Sequence, residues 1–220
     1  MKTTNFLSLN KILQLIYKLF IVTGLRVSYR KGVIRHDDAI TVYKNLNFQK
    51  SLDIGSGPNP QNLFEAQDVF GVDIRCGENK NVVQCNLALE KIPFENSTFD
   101  CVTAIDVLEH IPRVVIANND SVFPFVNLMN EIWRVLKEEG VFYSRTPAFP
   151  MKGAFQDPTH VNIITEDTLN LYFCEKAWAR IYGFYGSFVL IDEGWVGEHY
   201  WCIMKKSSGV KCKNLNFVQK

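Results

Sequence analysis

Short apolar runs alternating with helical stretches constrain this chain more than any other feature. Past the first thirty residues, strand candidates fall at 50–54, 69–73, 82–85, 99–105 and 140–146. Each is short and mainly apolar, as a strand covered on both faces should be. Helical candidates lie between them at 37–45, 61–67, just after Val107, and 121–139, with a later one running from Thr165 through 169–173. In the fourth, Phe125, Leu128, Met129, Ile132, Trp133, Val135 and Leu136 recur at helical spacing, and Gly140 reads as its stop. Two further runs, 187–192 and 200–204, would close the sheet. The alternation predicts an α/β fold: a doubly wound, mostly parallel, seven-stranded sheet with helices on both faces.

Composition supplies the bounds. The 220 residues are 47% hydrophobic, enough for a sizeable core and too apolar for a disordered chain. Lys+Arg at 24 against Asp+Glu at 23 leaves a net charge of +1, which argues against a nucleic-acid partner. Six cysteines, at 76, 85, 101, 174, 202 and 212, include no C-x-x-C pair and no His at ligand spacing. No metal site is expected from them, and buried free thiols fit a reducing, cytoplasmic setting. No repeat or charge block appears. The expected organisation is an N-terminal helical extension over 1–30, one domain over 31–205 and a flexible tail over 206–220.

The extension is amphipathic. Across residues 6–22, Asn10, Lys11, Gln14 and Lys18 share one helical face. The stretch is too short and too charged to span a bilayer, and no small-residue cleavage pattern follows it. Two readings stay open: a helix docked on its own domain or on a second subunit, and an interfacial helix peripheral to a membrane.

The chemistry concentrates after the first strand. Ser51-Leu52-Asp53-Ile54-Gly55-Ser56-Gly57 runs an apolar strand into two glycines, whose backbone can take positive φ and approach a ligand closely. In a parallel sheet this turn lies at the carboxyl edge, where ligands bind. The next strand ends in Gly71-Val72-Asp73, which puts an acid where ribose hydroxyls would sit. A dinucleotide loop requires a third glycine, yet position 60 is Pro. Asp53 would also repel a pyrophosphate while favouring an amino or sulfonium group.

These segments resemble the class I S-adenosylmethionine-dependent methyltransferases, specifically the type 11, ubiquinone-biosynthesis-like group. Asp53-Ile54-Gly55-Ser56-Gly57 is similar to the family's D-x-G-x-G loop, and Asp106-Val107-Leu108-Glu109-His110-Ile111 to the segment after its fourth strand. Residues 128–140 resemble the helix before its fifth strand. The resemblance covers roughly residues 46–146 and implies a Rossmann-like fold with S-adenosylmethionine as cofactor. It further implies that Asp53, Gly55, Ser56 and Gly57 hold the methionyl end, Asp73 and Ile74 the ribose, Asn86 and Leu87 the adenine, and that Asp106 lies near the sulfonium. Asn86 stands where the family often has an acid, and Asn59 at the loop's third glycine-like position.

A sulfonium methyl is already activated, so the protein must align an acceptor and, for a hydroxyl, accept its proton. His110 and His160 are the candidates, with Asp157 placed to orient His160; Glu109 reads as a solvated or locally bonded residue. Phe184, Tyr185, Trp195, Tyr200 and Trp201 are candidates to stack on an acceptor, with core packing as the competing role. The expected activity is methyl transfer to a small-molecule or saccharide acceptor, at oxygen. The alternatives are a cofactor-binding partner subunit without catalysis, disfavoured by the intact histidines, and a nicotinamide-dependent oxidoreductase, disfavoured by the missing third glycine.

Overall fold

The computed structural model describes residues 36–75, 77–117, 119–174 and 176–207; the N-terminal amphipathic stretch and the tail beyond Ser207 lie outside them. In chain order the elements are α1 (His36–Lys44), β1 (Lys50–Ile54), β2 (Asp68–Asp73), β3 (Val82–Gln84), β4 (Phe99–Ile105), β5 (Val115–Ala117), β6 (Asp120–Val122), α2 (Pro124–Val135) and β7 (Leu136–Pro147). There follow α3 (Gly153–Gln156), α4 (Thr168–Phe173), β8 (Phe188–Val196) and β9 (His199–Lys206), with 3-10 turns at Leu108–His110 and Trp178–Tyr182.

Seven strands form one sheet in the order β3-β2-β1-β4-β7-β9-β8. The pairings from β3 through β7 are parallel, whereas β9 runs antiparallel to both β7 and β8. The seven-stranded, doubly wound sheet expected from the sequence is therefore present. Its two faces carry separate apolar clusters. Leu52, Ile54, Val72, Val102 and Phe142 pack under the α2 side chains Phe125, Leu128, Met129, Ile132 and Val135. On the opposite face, Cys101, Val141, Tyr143, Trp201 and Ile203 pack with Ala39 and Ile40 of α1 and with Phe64. His36 Nε2 and the Tyr143 hydroxyl, 2.8 Å apart, tie α1 to that face. The alternation of side chains along each strand sends neighbours to opposite clusters, which is why apolar residues occupy both faces of the central strands.

Two expected helices differ. Residues 61–67 form turns: Pro58 and Pro60 stiffen the entry, and Asn62 closes a loop by accepting from Ala66 N–H (2.8 Å) and donating to Ala66 C=O (2.9 Å). The connection from β1 to β2 thus contains no helix. The long helix is shorter than 121–139. Its front end is taken by β6, paired with β5, and Pro124 starts the helix. At its other end Ser97 and Thr98 N–H donate to the carbonyls of Arg134 and Val135, and Leu136 already pairs with Phe99. Gly140 lies inside β7, where a Cβ would approach Lys137 C=O to 2.7 Å, so it marks an irregularity in the strand rather than a helix stop.

Candidate active site at the carboxyl edge

The glycine loop, the tip of β2 and the segment after β4 meet at the carboxyl edge of the sheet. Gly55 and Gly57 have φ of 69° and 59°, the left-handed region in which glycine carries no steric penalty. Space is equally decisive at Gly55, where a Cβ would lie 2.4 Å from Val107 Cγ2. The turn after β4 is therefore pressed directly onto the loop. A Cβ on Gly71 would stand 2.4 Å from Ser56 Oγ and 2.7 Å from Pro60 Cγ, so β2 needs its glycine to seat the loop.

The two buried carboxylates below the loop differ in their surroundings. Asp53 is 2% exposed; its oxygens accept from Thr103 Oγ1 (2.7 Å) and Gln61 N–H (2.8 Å), stapling the loop to β4. Burial pushes its carboxyl up to about 6, partly opposed by those two bonds. Asp73 accepts from Gly57 N–H (2.8 Å) and from the backbone and guanidinium of Arg75 (2.9 Å each). Burial works against its charge, yet these bonds together hold the Asp73 carboxyl below its ordinary value. Ile74, beside it, is exposed. Asn86 Oδ1 accepts from Ala88 N–H (3.1 Å) and shapes a turn, while Leu87 is buried in the apolar cluster.

Asp106, at φ 54°, lies between Arg145 Nη2 (3.0 Å) and His199 Nε2 (3.3 Å). Neither partner was legible in the sequence: Arg145 comes from β7 and His199 from the start of β9. Only the antiparallel register of β7 on β9 brings them together.

Beyond Asp106 the chain turns through Leu108–His110, and the loop 157–164 docks on that turn. Asn162 N–H donates to Glu109 C=O (2.9 Å), Asn162 Nδ2 to Leu108 C=O (3.0 Å), and Arg113 Nε to Asn162 Oδ1 (2.6 Å). Arg113 also donates to Ile163 C=O. The rings of His110 and His160 consequently meet edge to face, with centroids 4.9 Å apart. Asp157 sits 4.0 Å from His160 Nε2; its closer partner is Thr159, through N–H (2.8 Å) and hydroxyl (2.7 Å). Thr159 Oγ1 in turn lies 3.0 Å from His110 Nδ1.

A carboxylate can only accept, so the Thr159 hydroxyl proton points to Asp157 and the oxygen accepts from His110 Nδ1–H. The nearby Thr159 carbonyl, also only an acceptor, agrees with that assignment (3.3 Å). Neutral His110 then carries its proton on Nδ1 and leaves the Nε2 lone pair free. Glu109 is not a solvated residue: it is 1% exposed, and its Oε2 accepts from Thr146 Oγ1 (2.7 Å). Among the aromatic candidates, Phe184, Tyr200 and Trp201 are buried core residues, so the packing role holds for them, whereas Tyr185 is exposed. A cleft of ≈ 390 Å³ opens beside the docked loop, with Arg113, Phe123, Phe125, Tyr172, Phe173 and Tyr182 in its walls.

A parallel sheet whose order reverses between β1 and β4, ending in an antiparallel hairpin, with a glycine loop at its carboxyl edge, defines a Rossmann-like doubly wound fold. The match is more specific than that class: residues 52–144 fit the family model for a methyltransferase domain. This match over 52–144 and the shared fold support a class I S-adenosylmethionine-dependent methyltransferase, with S-adenosylmethionine as the cofactor.

Solved structures share the fold at low identity. A SAM-dependent methyltransferase from Aquifex aeolicus superposes with a TM-score of 0.51 at 15% identity, over 77% of this chain and 89% of that one. The PH0226 protein of Pyrococcus horikoshii gives 0.50 at 19% identity, over 78% and 87%. The YcgJ protein of Bacillus subtilis gives 0.50 at 15% identity, over 79% and 100%. Among curated proteins none matches the sequence. Among the described residues no helix is long and apolar enough to cross a membrane.

Proposed function

We propose that this methyltransferase acts on a hydroxyl of a small-molecule or saccharide acceptor, presented to the paired rings of His110 and His160. The observation that carries the reading is the Asp157–Thr159–His110 relay, which leaves His110 Nε2 unprotonated beside His160. In the transfer, the acceptor oxygen forms a bond to the methyl carbon as the S–CH3 bond breaks. The electron pair returns to sulfur, giving the neutral thioether, and the hydroxyl proton leaves toward the histidine pair. Little else is asked of the protein beyond alignment and exclusion of water. The aromatic cleft beside the docked loop suits the body of a sugar ring or an aromatic acceptor.

On the cofactor side, Gly55, Ser56, Gly57 and Asp53 hold the methionyl end, Asp73 and Ile74 the ribose, Asn86 and Leu87 the adenine, and Asp106 borders the sulfonium. Asp73 supports this best: it is buried, charged and anchored to the Gly57 N–H, with acceptor capacity left for hydroxyl donors. Calorimetry with S-adenosylmethionine tests it. Losing charge-assisted hydrogen bonds worth about 1.5–3 kcal/mol should weaken binding roughly 10- to 100-fold in Asp73→Ala. Equal affinity in the two proteins overturns the ribose assignment. Release of S-adenosylhomocysteine across pools of hydroxylated acceptors then reads the transfer itself.

A further inference from the structure

We infer that Glu109, His110 and His160 form a binding site for a divalent transition-metal cation on the acceptor side of the methyl-transfer centre. The inference rests on the acceptor-side placement proposed above and reassigns its two histidines from proton acceptors to ligands. One ligand atom from each of the three residues lies within 4.8 Å of the others. Donors on a common ion at about 2.0–2.2 Å stand roughly 3–4 Å apart, so closure asks for a shift of about an ångström.

Three independent features suit the cluster to an ion. First, Thr159, its own proton held by Asp157, accepts from Nδ1–H of neutral His110, so the lone pair lies on Nε2. A carboxylate-backed hydrogen bond to the non-ligating nitrogen is the usual support of a metal-bound imidazole. Second, the His160 side chain is 9% exposed, and its buried Nδ1 has no hydrogen-bond partner. A buried polar nitrogen without a partner is costly, and a proximal ligand removes that cost. Third, Glu109 is buried, and among the described residues no Lys or Arg is bonded to it; Thr146 is its side-chain donor. A cation would supply the missing counter-charge.

The scaffold is rigid where it matters. Asn162 and Arg113 clamp the loop bearing His160 onto the turn bearing Glu109 and His110. That turn also carries Val107, whose side chain fills the space above Gly55, so the cluster adjoins the cofactor loop. Two imidazoles and one carboxylate favour borderline ions such as Mn²⁺, Fe²⁺, Co²⁺ or Zn²⁺ over Mg²⁺ and Ca²⁺, which take oxygen sets. Three protein ligands leave positions open for acceptor oxygens. A bound hydroxyl is acidified by the ion and gives up its proton to solvent before attacking the methyl carbon. The two histidines then act as ligands rather than as bases. Cysteine spacing gave no hint of such a site, since the donors come from two segments fifty residues apart.

The test uses the full chain stripped with EDTA, titrated with MnCl₂ and followed by the EPR signal of free Mn²⁺, with Zn²⁺ calorimetry alongside. One equivalent should bind, and Glu109→Gln and His160→Gln should each raise Kd at least tenfold. His110→Asn, at an exposed position that keeps the fold, should do the same. Thr159→Val, which removes only the Nδ1 anchor, should weaken binding about tenfold, as supporting partners generally do. Affinity for S-adenosylmethionine should change less than twofold in all four, which separates this outcome from failure of the cofactor reading. No saturable binding, or equal binding by wild type and variants, overturns the proposal and leaves the histidine pair as the proton acceptor.

Discussion

Asp53 and Asp73 are both buried aspartates at strand ends, yet their environments drive them in opposite directions. Asp73 has a guanidinium and two N–H donors; Asp53 has a hydroxyl and one N–H, and burial wins, pushing it up to about 6. Its folded value is raised above the ordinary 3.8, so its contribution to stability is full below about pH 4 and lost as pH rises through 6. If the ionised carboxylate pairs with the cationic methionyl end, cofactor affinity runs the other way. Binding should strengthen from pH 5 to 7, level off above, and release a proton within that window, whereas Asp53→Asn should show a flat profile. Calorimetry in buffers of different ionisation enthalpy measures both. A wild-type affinity that ignores pH across this range would remove the ion pair from the account. The sequence disclosed these two acids because they sit in one contiguous motif. Glu109 was missed because its burial depends on Thr146, thirty-seven residues away on β7.

At the scale of elements, all seven strands of the main sheet were legible, though β7 and β8 run four residues beyond their expected ends and the β5–β6 hairpin was not anticipated. Helix ends were less so. Residues 121–122 and Leu136 suit either helix or strand by local pattern, and tertiary pairing with 115–117 and with Phe99 decided for strand. The glycine loop gives a sharper contrast between its two glycines. Both adopt positive φ, but only Gly55 faces a wall, with Val107 2.4 Å from a built Cβ; the nearest atom to one on Gly57 is Arg75 Nη2 at 3.6 Å. Gly57→Ala should therefore cost only the conformational strain, about 1–2 kcal/mol. Gly55→Ala adds displacement of the turn after β4, for a total of roughly 3–4 kcal/mol, with loss of cofactor binding. Urea unfolding of the two variants distinguishes them; equal destabilisation would mean that Val107 yields freely.

For the molecule as a whole, the acceptor side depends on a long-range clamp. Asn162 is 1% exposed and joins the Leu108 carbonyl to Arg113. Asn162→Ala removes one hydrogen bond from the Leu108 carbonyl and one charge-assisted bond from Arg113, a loss of about 2–3 kcal/mol and on the order of 5–10 °C in Tm. Because the cofactor loop sits on the other side of Val107, S-adenosylmethionine affinity should survive while turnover falls. A variant with wild-type Tm would show that the loop is held elsewhere. The helix-free path from β1 to β2 has a consequence for charge at this same scale. In sheets that bind dinucleotides, a helix begins at this turn and directs the positive end of its dipole at a pyrophosphate. Here that position holds prolines and a loop stapled to a carboxylate, so the local field lacks the positive lobe that phosphates seek. On the proposed reading this sorts ligands by charge: a sulfonium would meet acids with no opposing dipole, and the phosphates of a nicotinamide dinucleotide would lack the helix N-terminus that usually holds them.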